Sequence, residues 1–316
     1  MKLATVIFCG ACLVTAAMPR VGLVAAGRQK LWVAAHTGDL DTVRAELAKG
    51  ADVNQPLESS TVLPYGSRGL GPGATPLMAA LAEEHLEVVK VLVANGADLA
   101  RGSDKGMTPM HLAATDSDEI FETFAEAVLA SAADPRALVN AAAPGHMGKT
   151  PLHQVVMFGP AASNIVQKLL DMGADPTVPL NDGNRLPSVA LETWVTVPEL
   201  NFNHTKAVAA GMTVIDMLLD AGLDVDTPGK RGVTTLSFAC EIKRPDLVAL
   251  LASRGADPAR ALGKCERYDG LIRNVTAVVA EGRFSRERLD AALALLKIDH
   301  QWPLHTASQH RLCARS

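Results

Sequence analysis

The sequence is poor in aromatic residues and has no excess of basic charge. Only 4% of its 316 residues are aromatic, whereas 48% are hydrophobic. A core would therefore be built from alanine, leucine and valine, which suit small, closely packed helices. The formal net charge is −4, and it becomes about −6 without residues 1–26, which contain Lys2 and Arg20 and no acid. Nothing in this charge balance points to nucleic acid as a partner.

The apolar run at the amino terminus is too short for an ordinary membrane-spanning helix. It follows Lys2 and extends over about 15 residues, from Leu3 to Ala17, where small residues suit a cleavage site. This pattern predicts an export signal in residues 1–26. The mature chain is expected in the periplasm or secreted, with no membrane insertion after cleavage. The alternative is an uncleaved anchor, with the apolar stretch extended to Ala26.

Cysteine is also scarce, with five in the chain. Cys9 and Cys12 lie inside the predicted signal and are expected to be removed with it. We expect Cys240 to be a buried structural thiol. A disulfide between Cys265 and Cys313 is left open, and the spacing of these cysteines does not match a zinc site.

The sequence lacks the common catalytic motifs. It contains no Gly-x-Ser-x-Gly elbow, no His-Glu-x-x-His and no paired carboxylates in a shared motif. Residues 143–150 fit a loose nucleotide-loop pattern, with Lys149 and Thr150 in the phosphate and magnesium positions. They lack the strand and long helix that such a loop requires. His300, His305 and His310 are five residues apart and so lie on different helical faces. We therefore predict no enzyme activity, no cofactor and no metal site.

The sequence does contain a recurring motif, which has two parts. The two clearest neighbouring Thr-Pro steps are 33 residues apart. A period near 33 with Thr-Pro-Leu-His-x-Ala is the signature of ankyrin repeats. Gly-Ala-Asp begins at Gly50, Gly96, Gly173 and Gly255, and Thr-Pro begins at Thr75, Thr108 and Thr150.

The chain resembles the ankyrin-repeat family from about Gln29 onward. The resemblance implies an all-α solenoid in residues 27–316, with about six to eight helix-turn-helix units, several of them irregular, and projecting hairpin loops. It also implies a role for each residue of the motif. The prolines begin helices, the threonines cap them, the histidines are tied to the threonines, and Gly96 and Gly173 end helices in the left-handed conformation.

Three segments interrupt the repeat period, at about 55–73, 135–148 and 196–210. Such insertions lengthen the hairpin loops that commonly contact partners in this family. The alternatives are that the first insertion is a tolerated filler and that the aromatic residues of the third fold back over an open edge of the core. The residues predicted to bind a partner are Tyr65, Arg68, Leu70, Trp194 and Phe202.

The family resemblance implies a non-catalytic scaffold for protein–protein interaction, which the export signal would place outside the cytoplasm. The expected partner is another protein. The alternative is an exported enzyme or inhibitor whose site is formed by the loop insertions on the ankyrin frame.

Overall fold

The computed structural model describes residues 29–58, 70–115, 117–159, 162–191, 205–229, 232–261, 269–270, 272–273 and 276. Within these residues the regular elements are helices, and a single β-bridge joins Ala143 to Lys149. The all-α solenoid predicted from the sequence is confirmed.

The helices come in pairs, each joined by a short turn. The pairs are α1 (Lys30–Thr37) with α2 (Leu40–Ala48), α3 (Pro76–Ala82) with α4 (Leu86–Ala94), α5 (Pro109–Ala113) with α6 (Asp118–Ser131), α8 (Pro151–Phe158) with α9 (Ser163–Asp171), residues 188–191 with α10 (Thr205–Asp220), and α11 (Thr235–Glu241) with α12 (Pro245–Ser253). A short helix, α7 (Pro135–Val139), precedes the fourth pair.

The pairs stack in two layers. In the inner layer α1 packs on α3, α3 on α5, and α5 on α8; in the outer layer α2 packs on α4, α4 on α6, and α6 on α9. Each pair therefore contacts mainly its neighbours, as in a solenoid. Connections between pairs emerge on one side of the stack, because each one joins the end of an outer helix to the start of the next inner helix.

Inner helices begin at a threonine with extended backbone. Thr75, Thr108 and Thr150 have ψ angles of 164°, 163° and 167°, and a proline follows each of them. The proline lacks an N–H that the first helical turn would leave unpaired anyway. The Thr150 hydroxyl accepts the His153 N–H at 3.4 Å. The predicted starts of α5 and α8 are confirmed.

The outer helices α4 and α9 end at glycines with positive φ. Gly96 and Gly173 have φ angles of 83° and 90°, a region that costs other residues about 1 kcal/mol or more. The chain then turns into the hairpin that leads to the next repeat. This confirms the helix ends predicted from the Gly-Ala-Asp motif.

One hydrophobic core runs through the stack, and alanine, leucine and valine dominate it. The largest fully buried side chains are Phe121 and Phe124 on α6. In the first repeat, which has no Thr-Pro motif, Trp32 on α1 donates its indole N–H to the Ala74 carbonyl at 3.0 Å. This bond ties the amino-terminal repeat to the second one.

Two of the predicted insertions contain more regular structure than expected. Residues 135–148 hold α7 and a 3₁₀ turn at Pro144–His146. The Asp134 carboxylate accepts the Ala137 N–H at 3.1 Å and so caps α7. Helix α10 begins at Thr205, inside the insertion predicted at 196–210. Short capped helices of this kind are hidden in a sequence stretch that carries no apolar periodicity.

The prediction for Cys240 was half wrong. Its side chain is buried, with 4% of its surface exposed, but it is disulfide-bonded rather than a free thiol. Its partner cysteine lies outside the described residues. Sequence spacing alone could not show this, because the fold decides which cysteines meet.

Candidate partner-binding surface

Consecutive hairpins are joined to one another by backbone hydrogen bonds near their tips. We call residues 98–106, 140–149 and 175–184 the hairpin row. Their backbones cannot move independently, because each tip is bonded to the next, and side chains on the row are held at fixed spacing. The bonds run from Asp104 N–H to the Pro72 carbonyl (3.0 Å), from Gly145 N–H to the Lys105 carbonyl (3.0 Å), and from Asn181 N–H to the Met147 carbonyl (2.8 Å).

A second set of bonds links the bases of the hairpins. The Asn54 side chain accepts the Asp98 N–H at 2.7 Å, and the Asn140 side chain accepts the Asp175 N–H at 2.7 Å. Each bond reaches from one repeat to the next. The hairpin row is therefore braced at its base as well as at its tips.

The repeat histidines tie the hairpins to the inner helices. His111 is fully buried on α5. Its Nε2 lies 2.9 Å from the Lys149 carbonyl of the following hairpin, and since a carbonyl only accepts, Nε2 must carry the proton. Its Nδ1 is then the acceptor for the Thr108 N–H at 3.2 Å and the Thr108 hydroxyl at 2.7 Å. The neutral ring thus satisfies a helix start and an inter-repeat contact together.

His153 on α8 repeats the part of this arrangement that caps the helix start. Its Nδ1 lies 2.9 Å from the Thr150 hydroxyl and 3.4 Å from the Thr150 backbone nitrogen. Burial lowers the pKa of both His111 and His153 to about 4. Neither ring is exposed, and neither is suited to proton transfer with a substrate at neutral pH.

The segment that resembled a nucleotide loop is a closed hairpin. Its backbone N–H groups have protein acceptors and are not free to cradle phosphate. The Thr150 hydroxyl, which would bind magnesium in such a loop, contacts His153. The donors and their acceptor carbonyls are Gly145 to Lys105, His146 to Ala143, Gly148 to Ala143, and Lys149 to His146.

Three basic side chains gather on two neighbouring hairpins of the row. Lys105 lies on one hairpin, and His146 and Lys149 lie on the next. Burial lowers the pKa of His146, and the nearby charges of Lys105 and Lys149 lower it further. Burial also lowers the pKa of Lys149. The Lys149 ammonium therefore lies where it is only partly hydrated.

The apolar side chains exposed along this part of the stack are Met147 and Phe158. Met147 is 48% exposed at a hairpin tip, and Phe158 is 57% exposed at the end of α8. The backbone of Met147 has a φ of 64°, which non-glycine residues adopt uncommonly. The sequence analysis did not single out either residue, because both positions read as ordinary loop and helix-end residues.

Of the five predicted partner-binding residues, only Leu70 lies in the described part of the chain. Tyr65, Arg68, Trp194 and Phe202 lie outside it. Leu70 is 8% exposed and belongs to the hydrophobic core, so its side chain is not presented on the surface. The role of the other four stays a prediction.

The base of the first insertion is an ordered hairpin. Leu57 N–H donates to the Ala74 carbonyl at 2.7 Å, and Gly73 N–H donates to the Leu57 carbonyl at 3.0 Å. The Leu57 side chain is 2% exposed. The two ends of the insertion are therefore pinned together on the same side as the hairpin row.

Two further observations apply to the described part of the chain. It contains no group of three or more histidine, cysteine, aspartate or glutamate side chains placed to hold a metal ion. None of its helices combines the length and the apolar character needed to cross a membrane. His300, His305 and His310 lie outside the described residues.

Known proteins match both the sequence and the fold. A family model described as "Ankyrin repeats (3 copies)" matches residues 31–135, and one described as "Ankyrin repeat" matches residues 147–180. The crystal structure of an ankyrin repeat domain from Acinetobacter baumannii AYE superposes with a TM-score of 0.55 at 20% identity, covering 72% of this chain and 99% of that one. At this identity the likeness shows the fold alone.

A curated relative, "Putative palmitoyltransferase ZDHHC13" of Danio rerio, is 26% identical over 251 residues, or 77% of this chain. The chain spans only 33% of the length of that protein. Together with the helix pairs, the capped Thr-Pro starts and the Gly-Ala-Asp ends, these matches lead to one conclusion: the chain contains ankyrin repeats, and its described part has the fold of an ankyrin-repeat solenoid.

Proposed function

We propose that this protein is a non-catalytic scaffold that binds another protein outside the cytoplasm. Ankyrin repeats imply protein binding, and the observation that carries the proposal is the hairpin row. Its tips and bases are bonded from repeat to repeat. A surface that is rigid before contact loses little conformational entropy on binding, so more of the contact energy appears as affinity.

The binding side in this proposal is the one that bears the hairpins and inner helices. The first insertion begins and ends beside the hairpin row, at Leu57 and Ala74. Tyr65 and Arg68 are proposed anchors because aromatic and arginine side chains dominate binding energies at protein interfaces. Trp194 and Phe202 are proposed for the same reason.

Action outside the cytoplasm has two supports. The first is the amino-terminal sequence, with its apolar run from Leu3 to Ala17 after Lys2. The second is the disulfide at Cys240, because disulfides persist in oxidising compartments and are rare in the cytosol. Cleavage after Ala17 or Ala26 is expected.

Mass spectrometry of the native protein tests the export part of the proposal. We expect a mature chain that begins after Ala17 or Ala26 and is recovered outside the cytoplasm. Recovery of the intact chain from Met1 in the cytosol would refute this part, and it would leave protein binding as a separate question.

A pull-down from the exported fraction tests the scaffold itself. The matched variant replaces residues 59–69 with a Gly-Asn turn, which keeps the Leu57–Ala74 pairing and the buried Leu70. We expect the wild-type chain to retain a specific protein partner and the variant to bind it more weakly. If the variant binds with unchanged affinity, the first insertion is filler. If the wild-type chain retains no protein, the scaffold proposal fails.

We do not extend the name of the Danio rerio relative to this chain. The match covers about a third of that protein, and shared ankyrin repeats account for a match of this kind. Binding rather than group transfer is therefore the proposal.

A further inference from the structure

Lys105, His146 and Lys149 lie on two hairpins that are packed directly against each other. The Gly145 N–H donates to the Lys105 carbonyl at 3.0 Å. A Cβ added at Gly145 would lie 2.7 Å from the Cβ of Lys105, so only glycine allows this approach. The backbone positions from which the three basic side chains project are thus fixed before any partner arrives.

These side chains lack the acidic partners that other lysines of the protein have. Lys90 pairs with Glu87 at 2.8 Å and Lys168 with Glu122 at 2.9 Å. No ion pair within the described residues involves Lys105 or Lys149. In a protein with a formal net charge of −4, Lys105 and Lys149 thus place two unpaired positive charges on neighbouring hairpins.

The nearest acid in the sequence, Asp104, is turned away from them. Its backbone N–H bonds to Pro72 on the preceding hairpin. Its carboxylate lies against Gly73 there, close to where a Cβ on that glycine would be. Asp104 thus faces the hairpin of the first insertion, whereas Lys105 faces the hairpin of residues 140–149.

Within the described part of the free protein, Lys149 and His146 also lack partners: the Lys149 ammonium has no carboxylate beside it, and one ring nitrogen of His146 has no hydrogen bond. Burial lowers the pKa of the Lys149 ammonium, with no carboxylate beside it to oppose the effect. His146 Nε2 is buried without a hydrogen-bond partner. An incoming carboxylate would compensate the Lys149 ammonium, since it accepts hydrogen bonds and favours the charged form.

We propose that Lys105, His146 and Lys149 form a recognition patch for a carboxylate-rich segment of the protein partner. This inference rests on the protein-binding function proposed above and names the chemistry of the partner. The exposed Met147 side chain, 48% accessible, stands between His146 and Lys149 in the sequence. The segment therefore carries apolar side chains between its acidic ones, because methionine offers an adaptable apolar contact.

Carboxylates fit this patch better than phosphates do. The loop's N–H groups at Gly145, His146, Gly148 and Lys149 are already bonded to carbonyls, so no backbone cradle remains for a phosphate. The negative net charge of the whole chain also repels a long polyanion such as nucleic acid at a distance. A short acidic segment of a protein is affected less.

The test measures binding of a fluorescent peptide of alternating glutamate and leucine to the full chain. The variant is Lys105→Met with Lys149→Met, and the control pair is Lys90→Met with Lys168→Met, which changes the net charge equally on the outer helices. We expect saturable binding that salt weakens, a loss of roughly tenfold or more in the patch variant, and little change in the control. An unchanged melting temperature shows that the patch variant folds.

Unchanged peptide affinity in the patch variant would overturn the proposal, and so would equal binding of a lysine–leucine peptide. Displacement of the peptide by inorganic phosphate or by single-stranded DNA at lower concentration than by free glutamate peptide would also overturn it. The pull-down distinguishes failure of the patch proposal from failure of the scaffold proposal. If the patch variant still retains the exported partner with wild-type affinity, the scaffold stands and the patch does not.

Discussion

At the scale of single residues, the two buried histidines make the stack sensitive to acid. In the folded protein the pKa of His111 and His153 is about 4, against about 6.5 in an unfolded chain. Between these values the unfolded state binds more protons than the folded one. Stability is therefore fully present above pH 6.5 and falls as the pH drops toward 4. Protonation at Nδ1 also removes the acceptor of the Thr108 N–H.

We predict that the free energy of unfolding falls between pH 6.5 and 4 by up to about 3 kcal/mol for each of these histidines. Urea unfolding at several pH values measures it. A His111→Gln, His153→Gln variant is the control. It should be less stable at pH 7 but should depend less on pH in this window. Equal pH dependence in the two proteins would contradict the assignment.

Substitutions at the helix cap of the fourth repeat distinguish two interpretations of residues 143–150. One is a hairpin followed by a capped helix, and the other is a nucleotide-binding loop. Thr150→Ala or His153→Ala removes a cap and buried hydrogen bonds. Each substitution should destabilise the protein by roughly 1 kcal/mol or more. Lys149→Ala should leave stability nearly unchanged, and magnesium with ATP or GTP should not raise the melting temperature. Thermal unfolding measures all of these, and stabilisation by a nucleotide that Lys149→Ala abolishes would overturn the interpretation.

At the scale of elements, the turn between the two helices of some repeats contains a residue with positive φ. In the first repeat this place is taken by Gly38, with a φ of 73°. In the sixth, between α11 and α12, it is taken by Lys243, with a φ of 59°. The left-handed conformation costs a non-glycine residue of this kind roughly 1 kcal/mol.

Lys243→Gly should therefore stabilise the protein, by up to about 0.5 kcal/mol after the greater flexibility of glycine in the unfolded chain is subtracted. The reverse change, Gly38→Ala, should destabilise it, because the added Cβ would lie 2.8 Å from the His85 ring. Chemical denaturation of the two variants measures both changes in the free energy of unfolding. A destabilising Lys243→Gly would show that its side chain contributes more than the strain costs.

Most elements of the fold could be predicted from the sequence, because their starts and ends are determined by a few neighbouring residues. A Thr-Pro step contains its own cap and its own helix start, and Gly-Ala-Asp contains its own helix end, so α5 and α8 and the turns at Gly96 and Gly173 followed from a few residues each. Helix α7 did not, because five residues with one cap at Asp134 show no periodicity. The early start of α10 at Thr205 was hidden by the same lack of pattern.

The candidate site was less predictable than the fold. Leu70 was expected on the surface and is buried, because a leucine in a glycine-rich stretch gives no sign of which neighbours cover it. Conversely, the grouping of Lys105 with His146 and Lys149 depends on how two hairpins about 40 residues apart in sequence pack together. Contacts between repeats of irregular length cannot be predicted from any one repeat motif.

At the scale of the whole molecule, the disulfide at Cys240 gives a prediction about the compartment. Reduction should lower the free energy of unfolding by about 2–4 kcal/mol, as loss of a native disulfide commonly does. Denaturation with and without reductant measures this, and a non-reducing digest identifies the partner cysteine. A reduced thiol at Cys240 in protein isolated from its native source would contradict the disulfide and remove one support for export.

The central claim is that the protein binds another protein through the side that bears the hairpin row. Amide hydrogen exchange of the chain, alone and with the partner recovered in the pull-down, tests it most directly. The account predicts new protection in residues 98–106, 140–149 and 175–184, with the outer helices α4, α6 and α9 exchanging as before. Protection confined to those outer helices would contradict it.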